Sequence, residues 1–433
     1  MLPLFSIIVL LISNCVSAHA QGVGPKSEEK DATLQFVVYL SRHGVRSPTA
    51  KPAQYNKFSA AAWPEWTVSP GYLTAHGFKL MTSFGAYDRA QLSSLGLLAP
   101  SGCADAAHVT ILADSDQRTR ETGKAIAEGL MPGCSIEVHS LPEGTADPLF
   151  HYLETGQANI DHALAAAAIN GRIGGKIESL TEAYRPQLTQ LEGVLAGCGH
   201  AALAAAPGTT LFDVPASLGP GAGDHPAEMR GPLNTASTLS ENLLLEYSEG
   251  MPNVGWGCAD GATLRSIMQL HAAAADFAQR TPAVAHMYAS NLLDRMLKAM
   301  EQSATGKAVA GAPGKAGDRV LFLVGHDTNI ATVAGALGLT WIVDGRRDDT
   351  PPGGALVFEL WSSHSGEAFV RVHYTAQTLE QMRDARPLTP ANPPADVPVF
   401  VPGCGRRDLT CDWSAFAATV RSAVDQSYVS VVP

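Results

Sequence analysis

The sequence is poor in several things, and each shortage narrows what the chain can do. Basic residues are outnumbered, 30 Lys and Arg against 41 Asp and Glu, for a net charge of -11. Such a balance argues against nucleic acid as the main partner and gives no support to a membrane-surface role, so any anion must be met by a local basic pocket. No C-x-x-C pair occurs, which leaves zinc-ribbon and thioredoxin-like readings without support. There is no long run of like charge, no low-complexity block and no internal repeat. Beyond the first 20 residues, no stretch is long and apolar enough to span a bilayer.

What is present is a globular composition, 45% hydrophobic and 16% charged over 433 residues, enough for two or three ordinary domains. The opening MLPLFSIIVLLISNCVSAHAQG has an apolar core at 3–13 and a small-x-small site, Ala18-His19-Ala20, before Gln21. Residues 1–20 therefore read as a cleaved signal peptide, although no Lys or Arg precedes the apolar core. The mature protein is expected to be periplasmic or secreted, off the membrane and monomeric. Cleavage removes Cys15 and leaves Cys103, Cys134, Cys198, Cys258, Cys404 and Cys411, an even set that suggests three disulfides in an oxidising compartment. Cys103 and Cys134 bracket a strand–helix unit, and Cys404 and Cys411 are close enough for a small loop. Elimination then pairs Cys198 with Cys258.

Short runs rich in Val, Ile, Leu and Phe at 34–40, 108–113, 320–324 and 355–361 suit buried strands. Helical spacing appears between them: one helix starting near Gln117, and another carrying Leu180, Tyr184, Leu188, Leu191 and Leu195. This alternation predicts an α/β fold. From 155 to 277 strand signals nearly vanish, which predicts a helical cap inserted between core parts at 21–154 and 278–433. Breakers concentrate at 204–223, 304–317 and 386–403.

Three pieces carrying chemistry each follow the end of a predicted strand: Arg42-His43-Gly44-Val45-Arg46, Arg118 with Arg120, and Gly325-His326-Asp327. Open α/β sheets bind ligands beyond the carboxyl ends of their strands, so the three converge if the sheet is parallel there. Arginine forks suit phosphate oxygens, and a histidine among them is biased toward its neutral, nucleophilic form. A second histidine can donate to the same oxygens, and Asp327 can protonate a departing alkoxide. That set is sufficient for phosphoryl transfer through a phosphohistidine, with no metal and no cofactor.

The sequence also resembles a known family. RHGVRSPT (42–49) matches the R-H-G-x-R-x-P signature of the histidine acid phosphatases, and GHDTN (325–329) matches their distal His-Asp element. ADSDQRTRETG, DPLFH, ASTLSENLLLEY, GMPNVGWG, TPPGGALVFELW and TLEQMRD resemble segments of bacterial periplasmic phytases of the 4-phytase, pH 2.5 acid phosphatase type. The resemblance implies a histidine-phosphatase-like sheet flanked by helices with a helical cap. It implies His43 as nucleophile, Arg42, Arg46, Arg118 and His326 as phosphate holders, and Asp327 as proton donor. Thr49 matches a pocket threonine and Glu241 a cap-helix residue facing the cleft. Two departures bear on substrate: Ala50 stands where close relatives carry a lysine for distal phosphates, with Lys51 as an imperfect substitute, and no cysteine follows Cys411 to tie the cap to the C-terminus. The expected substrate is a phosphomonoester, with phytate (myo-inositol hexakisphosphate) first. A broad acid phosphatase or a glucose-1-phosphatase is the alternative, although Gly44 favours the phytase side.

Two readings outside the family remain. A metallophosphatase would need further Asp and His ligands at strand ends, where the first strand instead ends in arginines. A non-catalytic periplasmic binding protein for phosphate esters would use the arginines but have no need of His43 or Asp327.

Overall fold

The run Leu34-Gln-Phe-Val-Val-Tyr-Leu40 is apolar on both sides because the strand it forms is buried on both faces. Phe36, Val38 and Leu40 enter one core with Leu321, Leu323 and Phe358; Val37 and Tyr39 enter the opposite one with Ile111, Val320 and Phe322. A bulge between Leu34 and Phe36 turns Leu34 onto the second face. The computed structural model describes residues 32–199 and 207–430, so the expected signal peptide lies outside the described residues.

The chain first lays down β1 (Thr33–Arg42), α1 (Ala75–Ser94), β2 (Val109–Ala113), α2 (Gln117–Leu130) and β3 (Val138–His139). There follow α3 (His162–Arg172), α4 (Glu178–Ala183), α5 (Arg185–Leu195), a ribbon of β4 (Ser217–Pro220) and β5 (Ala227–Arg230), α6 (Pro232–Ser248) and α7 (Gly261–Ala278). Next come α8 (Pro282–Thr305), β6 (Val320–Gly325), α9 (Asp327–Leu337) and a second ribbon, β7 (Ile342–Val343) with β8 (Arg346–Arg347). The remainder is β9 (Ala355–Ser362), β10 (Ala368–Ala376), α10 (Leu379–Asp384), β11 (Ala395–Pro398), β12 (Thr410–Asp412) and α11 (Trp413–Ala423).

The main sheet runs β11-β10-β9-β1-β6-β2-β3, with β12 also on β10. Its β1, β6, β2 and β3 are mutually parallel neighbours; β9 to β12 are antiparallel to the strands they join. Register levels the parallel ends: Val324 pairs with both Ser41 and Ala113, and Arg42 pairs with Gly325. The helices flank this sheet, as the α/β reading expects. A third apolar core gathers Ile169, Leu188, Leu191, Leu243 and Leu264 and meets the sheet side through Val45 and Leu80.

The structure corrects the local reading in four places. The helix expected through Leu180–Leu195 is two, because Pro186 sits in the first turn of the second and Tyr184 leaves helical geometry. The strand-poor middle contains the β4–β5 ribbon, partly inside a breaker-rich stretch. β11 lies within the proline-rich 386–403, at the sheet edge, where proline is tolerated. β10 was hidden because it alternates: Val370, Val372 and Tyr374 enter a core while Arg371 and His373 face away, so it never forms a continuous apolar run.

Cys103 lies against Cys134, Cys198 against Cys258 and Cys404 against Cys411, with Cα separations of 5.4, 6.0 and 5.2 Å, the pairs expected from position for the first and last and by elimination for Cys198 and Cys258. No helix among the described residues is long and apolar enough to cross a membrane.

Candidate active site

The level ends of β1, β2 and β6 bring together Arg42, His43, Asp114 and His326, while α2 and α9 begin beside them at Gln117 and Asp327. Strand ends and helix N-termini facing one rim make a place for an anion. Arg42 and Arg46 converge on one atom, Glu241 Oε1, which Arg46 Nη2 reaches at 3.1 Å. Arg42 Nη2 also pairs with Asp327 Oδ2 at 3.1 Å, and its Nη1 donates to Thr350 O at 2.6 Å. The like charges are thus tolerated because carboxylates stand between them. The Nε atoms of Arg42, Arg46 and Arg118 nevertheless lie buried with no hydrogen-bond partner among the described residues. Arg120, Arg280 and Arg346 also have a buried nitrogen without a partner, so what marks this rim is that three such arginines gather at one set of strand ends, where an anion can use them.

His43 is oriented by backbone. Its Nδ1 donates to Gly44 O at 2.9 Å; a carbonyl only accepts, so Nδ1 carries the proton and Nε2 keeps its lone pair. Gly44 N in turn donates to Thr122 Oγ1 at 2.9 Å, and Gly353 N donates to His43 O at 2.9 Å. A side chain at Gly44 would come within 2.8 Å of Met81 and 3.2 Å of the Gly77 carbonyl, so the close approach of α1 requires glycine. Burial, then Arg118, Arg42, Arg46 and His326, push the His43 imidazole well below its ordinary value. It is the neutral form that can attack.

His326 stands opposite, its ring centroid 5.6 Å from that of His43. Its Nε2 donates to Asp114 Oδ2 at 2.7 Å, and Arg118 Nη2 lies 3.3 Å from its Nδ1. Burial, Arg118 and His151 lower the His326 imidazole against the upward pull of Asp114. For Asp327 burial acts upward, but Arg42, His271, Arg46 and His326 win and hold the carboxyl below the usual range. Burial likewise raises Glu241 and is outweighed by Arg46, Arg42 and His271.

Thr49 is exposed beside Gly71, whose open side also faces Arg118 Nη1. Ala50 is half-buried and Lys51 exposed at the start of the Pro52–Gln54 turn. Arg120 pairs outward with Glu143 at 2.6 Å and does not join the cluster. Sequence reading passed over Asp114, His151 and His271. Asp114 follows β2 directly and was reachable by the same strand-end rule; His271, 4.0 Å from Asp327, comes from mid-helix α7 and carries no local signal. Asp114, His151 and His326 have ligand atoms within 4.8 Å of one another, a spacing a cation could use. Arg118 beside His326 and a hydrogen-bonded proton on each histidine make it a hydrogen-bonded chain instead.

A rim of arginines whose Nε donors are unmatched, around a bare imidazole nitrogen, suits transfer of a phosphoryl group. The sequence profile described as histidine phosphatase superfamily (branch 2) matches residues 33–193 and 247–375, and the chain belongs to that family. It is 37% identical over 433 residues to the phytase AppA of Escherichia coli (strain K12), covering 98% of each chain. It is 28% identical to a glucose-1-phosphatase of Providencia rettgeri, over 98% of this chain and 100% of that one. Among solved structures, Hafnia alvei phytase in complex with tartrate superimposes with a TM-score of 0.85 at 34% identity, over 93% of this chain and 99% of that chain. The same phytase in complex with myo-inositol hexakis sulphate superimposes at 0.82 and 33% identity, with the same coverage. The protein is a phosphoric monoester hydrolase.

Proposed function

We propose that this enzyme hydrolyses phosphomonoesters, phytate first among them, through a phosphohistidine on His43. The observation that carries the reading is the bare Nε2 of His43 beside three arginines whose buried Nε atoms have no partner. Arg42, Arg46, Arg118 and His326 hold the phosphoryl oxygens. Nε2 attacks phosphorus, the ester P–O bond breaks, and Asp327 gives its proton to the departing oxygen. Water then attacks phosphorus, its proton passes to the Asp327 carboxylate, the P–N bond breaks and phosphate leaves. Asp327 is depressed by the arginines; a bound phosphate dianion offsets their charge and returns it toward its ordinary value, which ties turnover to acid conditions.

Phytate as substrate is supported by the likeness to phytases and by the hexakis sulphate complex of one of them. The glucose-1-phosphatase relative keeps that ester as the second reading. The segment 155–277 acts as a cap supplying Glu241 to the cleft, with Thr49, Ala50 and Lys51 at its mouth. Cleavage after Ala20 delivers a monomeric enzyme to the periplasm or exterior, where its three disulfides persist.

An acid quench of the reaction with labelled ester should leave an acid-labile, base-stable phosphate on His43, and His43→Ala should lose label and turnover together. EDTA should change neither. Full turnover by His43→Ala would refute the mechanism, while comparing phytate, glucose 1-phosphate and an aryl phosphate ranks the substrates.

A further inference from the structure

Behind His326 lies a second histidine that the phosphoryl chemistry does not use. His151 Nε2 donates to Asp114 Oδ2 at 3.2 Å, the same oxygen that accepts His326 Nε2 at 2.7 Å. Its Nδ1 meets Glu154 Oε1 at 2.8 Å, so both of its nitrogens face carboxylates and the ring is an imidazolium. The two histidine rings are 5.0 Å apart. Asp114 is 1% exposed, and its other oxygen, Oδ1, is buried with no partner among the described residues. One carboxylate oxygen therefore serves two donors, one of them an imidazolium.

We propose that His151 is a positioning residue of this site. By sharing Asp114 it weakens the hold of that carboxylate on the His326 proton, and so sets the pH range in which His326 can be charged to grip a phosphate. The proposal rests on the phosphatase reading above and deepens it.

The groups facing His326 come from every side. Asp114 follows β2; Asp116, at 3.7 Å, and Arg118 stand at the start of α2. His43 follows β1, Asp327 is the next residue, and His151 with Glu154 closes the back. Of these cations, Arg118 is hydrogen-bonded to His326 itself, whereas His151 is hydrogen-bonded to Asp114. Burial alone would lower the His151 imidazole, but Asp114 and Glu154 outweigh it and hold it up at about 10. It is thus charged throughout the acid and neutral range. Burial raises Asp114, yet the two histidine hydrogen bonds pull it below its ordinary value, as a carboxylate shared by two donors requires. Both His151 nitrogens are occupied, so it is no phosphate donor; its effect passes through Asp114.

The sign follows directly. Removing a positive neighbour raises the pKa of His326, which then stays charged, and binds phosphate, to higher pH. A unit charge about 5 Å away in a partly screened site moves a titration by on the order of one pH unit.

The test uses the full chain, ¹⁵N-labelled at histidine, titrated by NMR without substrate, together with the pH profile of kcat/KM for p-nitrophenyl phosphate. His151→Asn keeps a donor to Asp114 but no charge. It should move the His326 titration and the basic limb of the profile upward together. His151→Lys restores a cation and should return both toward wild type. Glu154→Gln removes an anion near His326 while Asp114 still holds His151 charged, so it should move them slightly the other way. An active His151→Asn enzyme whose His326 titration and basic limb are unchanged would overturn the proposal, as would Asn and Lys variants that behave alike. A protein with no phosphatase activity but a shifted His326 titration would instead sink the functional reading and leave this coupling standing.

Discussion

At the parallel half of the sheet, β1, β2 and β6 end level and release Arg42, His43, Asp114 and His326 onto one rim; at the antiparallel half, β9 and β10 place Glu359 and His373 within their strands, beside Asp396 of β11. Both halves hold a perturbed histidine. The antiparallel half also borders a cavity of about 510 Å³, lined by Tyr39, Asp88, Trp361 and His373 among others, larger than the 240 and 360 Å³ clefts beside Thr328. Yet His373 has both nitrogens answered, by Asp396 at 2.7 Å and Glu359 at 3.5 Å. On the rim the imidazole nitrogen of His43 is bare and three arginine Nε atoms are unmatched. Neither cavity size nor a shifted histidine identifies a site; the convergence of arginines on a bare imidazole nitrogen does. Strand direction explains why the rim collects them. Parallel strands bring their carboxyl ends, and the helix starts that follow, to one edge, whereas antiparallel neighbours send alternate ends apart.

The sharpest way to break this comparison is to remove one histidine from each half. His43→Ala should cut turnover by on the order of 10⁴-fold or more, the scale of losing a covalent nucleophile. His373→Ala should leave kcat/KM within about twofold, since nothing in the reaction of His43 passes through it. Comparable losses of turnover in the two variants would erase the distinction.

Asp327→Asn is next in size. An aliphatic leaving group needs a proton in the transition state and a nitrophenolate scarcely does, so phosphorylation by phytate should slow by about 10²–10⁴-fold and that by p-nitrophenyl phosphate far less. Pre-steady-state phosphorylation rates are the measurement, because hydrolysis of the common phosphohistidine masks the leaving group. Equal slowing would mean that another residue supplies the proton.

Stability against pH should separate the halves with opposite signs. Burial would lower the His373 imidazole, but Asp396 and Glu359 hold it up at about 10. Its stabilisation is full below the ordinary histidine value and fades as pH rises through about 10. His43 is held below its ordinary value, so its share is present above that value and is lost as pH falls. In thermal melts, His373→Ala should therefore lower Tm by more at pH 5 than at pH 10. His43→Ala should be least harmful, or stabilising, in acid. A His373→Ala loss that is the same at both pH values would show that packing, not charge, is what His373 contributes.

The smallest expected effect tests the mouth of the rim. Ala50→Lys should lower KM for phytate by up to about fivefold, the scale of one exposed ion pair, and leave KM for an aryl monophosphate unchanged. An equal change for both would mean that the position does not sense distal phosphates.

The amino-acid sequence by itself determined the α/β class and the strand-end placement of three charged pieces, because apolar runs that end in Arg42-His43, in Ala113 before Arg118, and in Gly325 before His326-Asp327 mark buried strands and their rims. It did not reveal β10, whose alternation conceals a strand from any search for apolar runs, or the break at Tyr184, where helical spacing continues across two helices. Charge balance was decided by tertiary structure alone. Glu241 reaches Arg42 across 199 positions, Thr350 O across 308, and His326 reaches Asp114 across 212. A pKa depends on distance and burial, and neither is written in local spacing. The residues proposed to react could be named from their neighbours in the chain, and so could Arg42 and Arg46 beside His43; burial, Arg118, Asp114 and Glu241 reach them only through the fold.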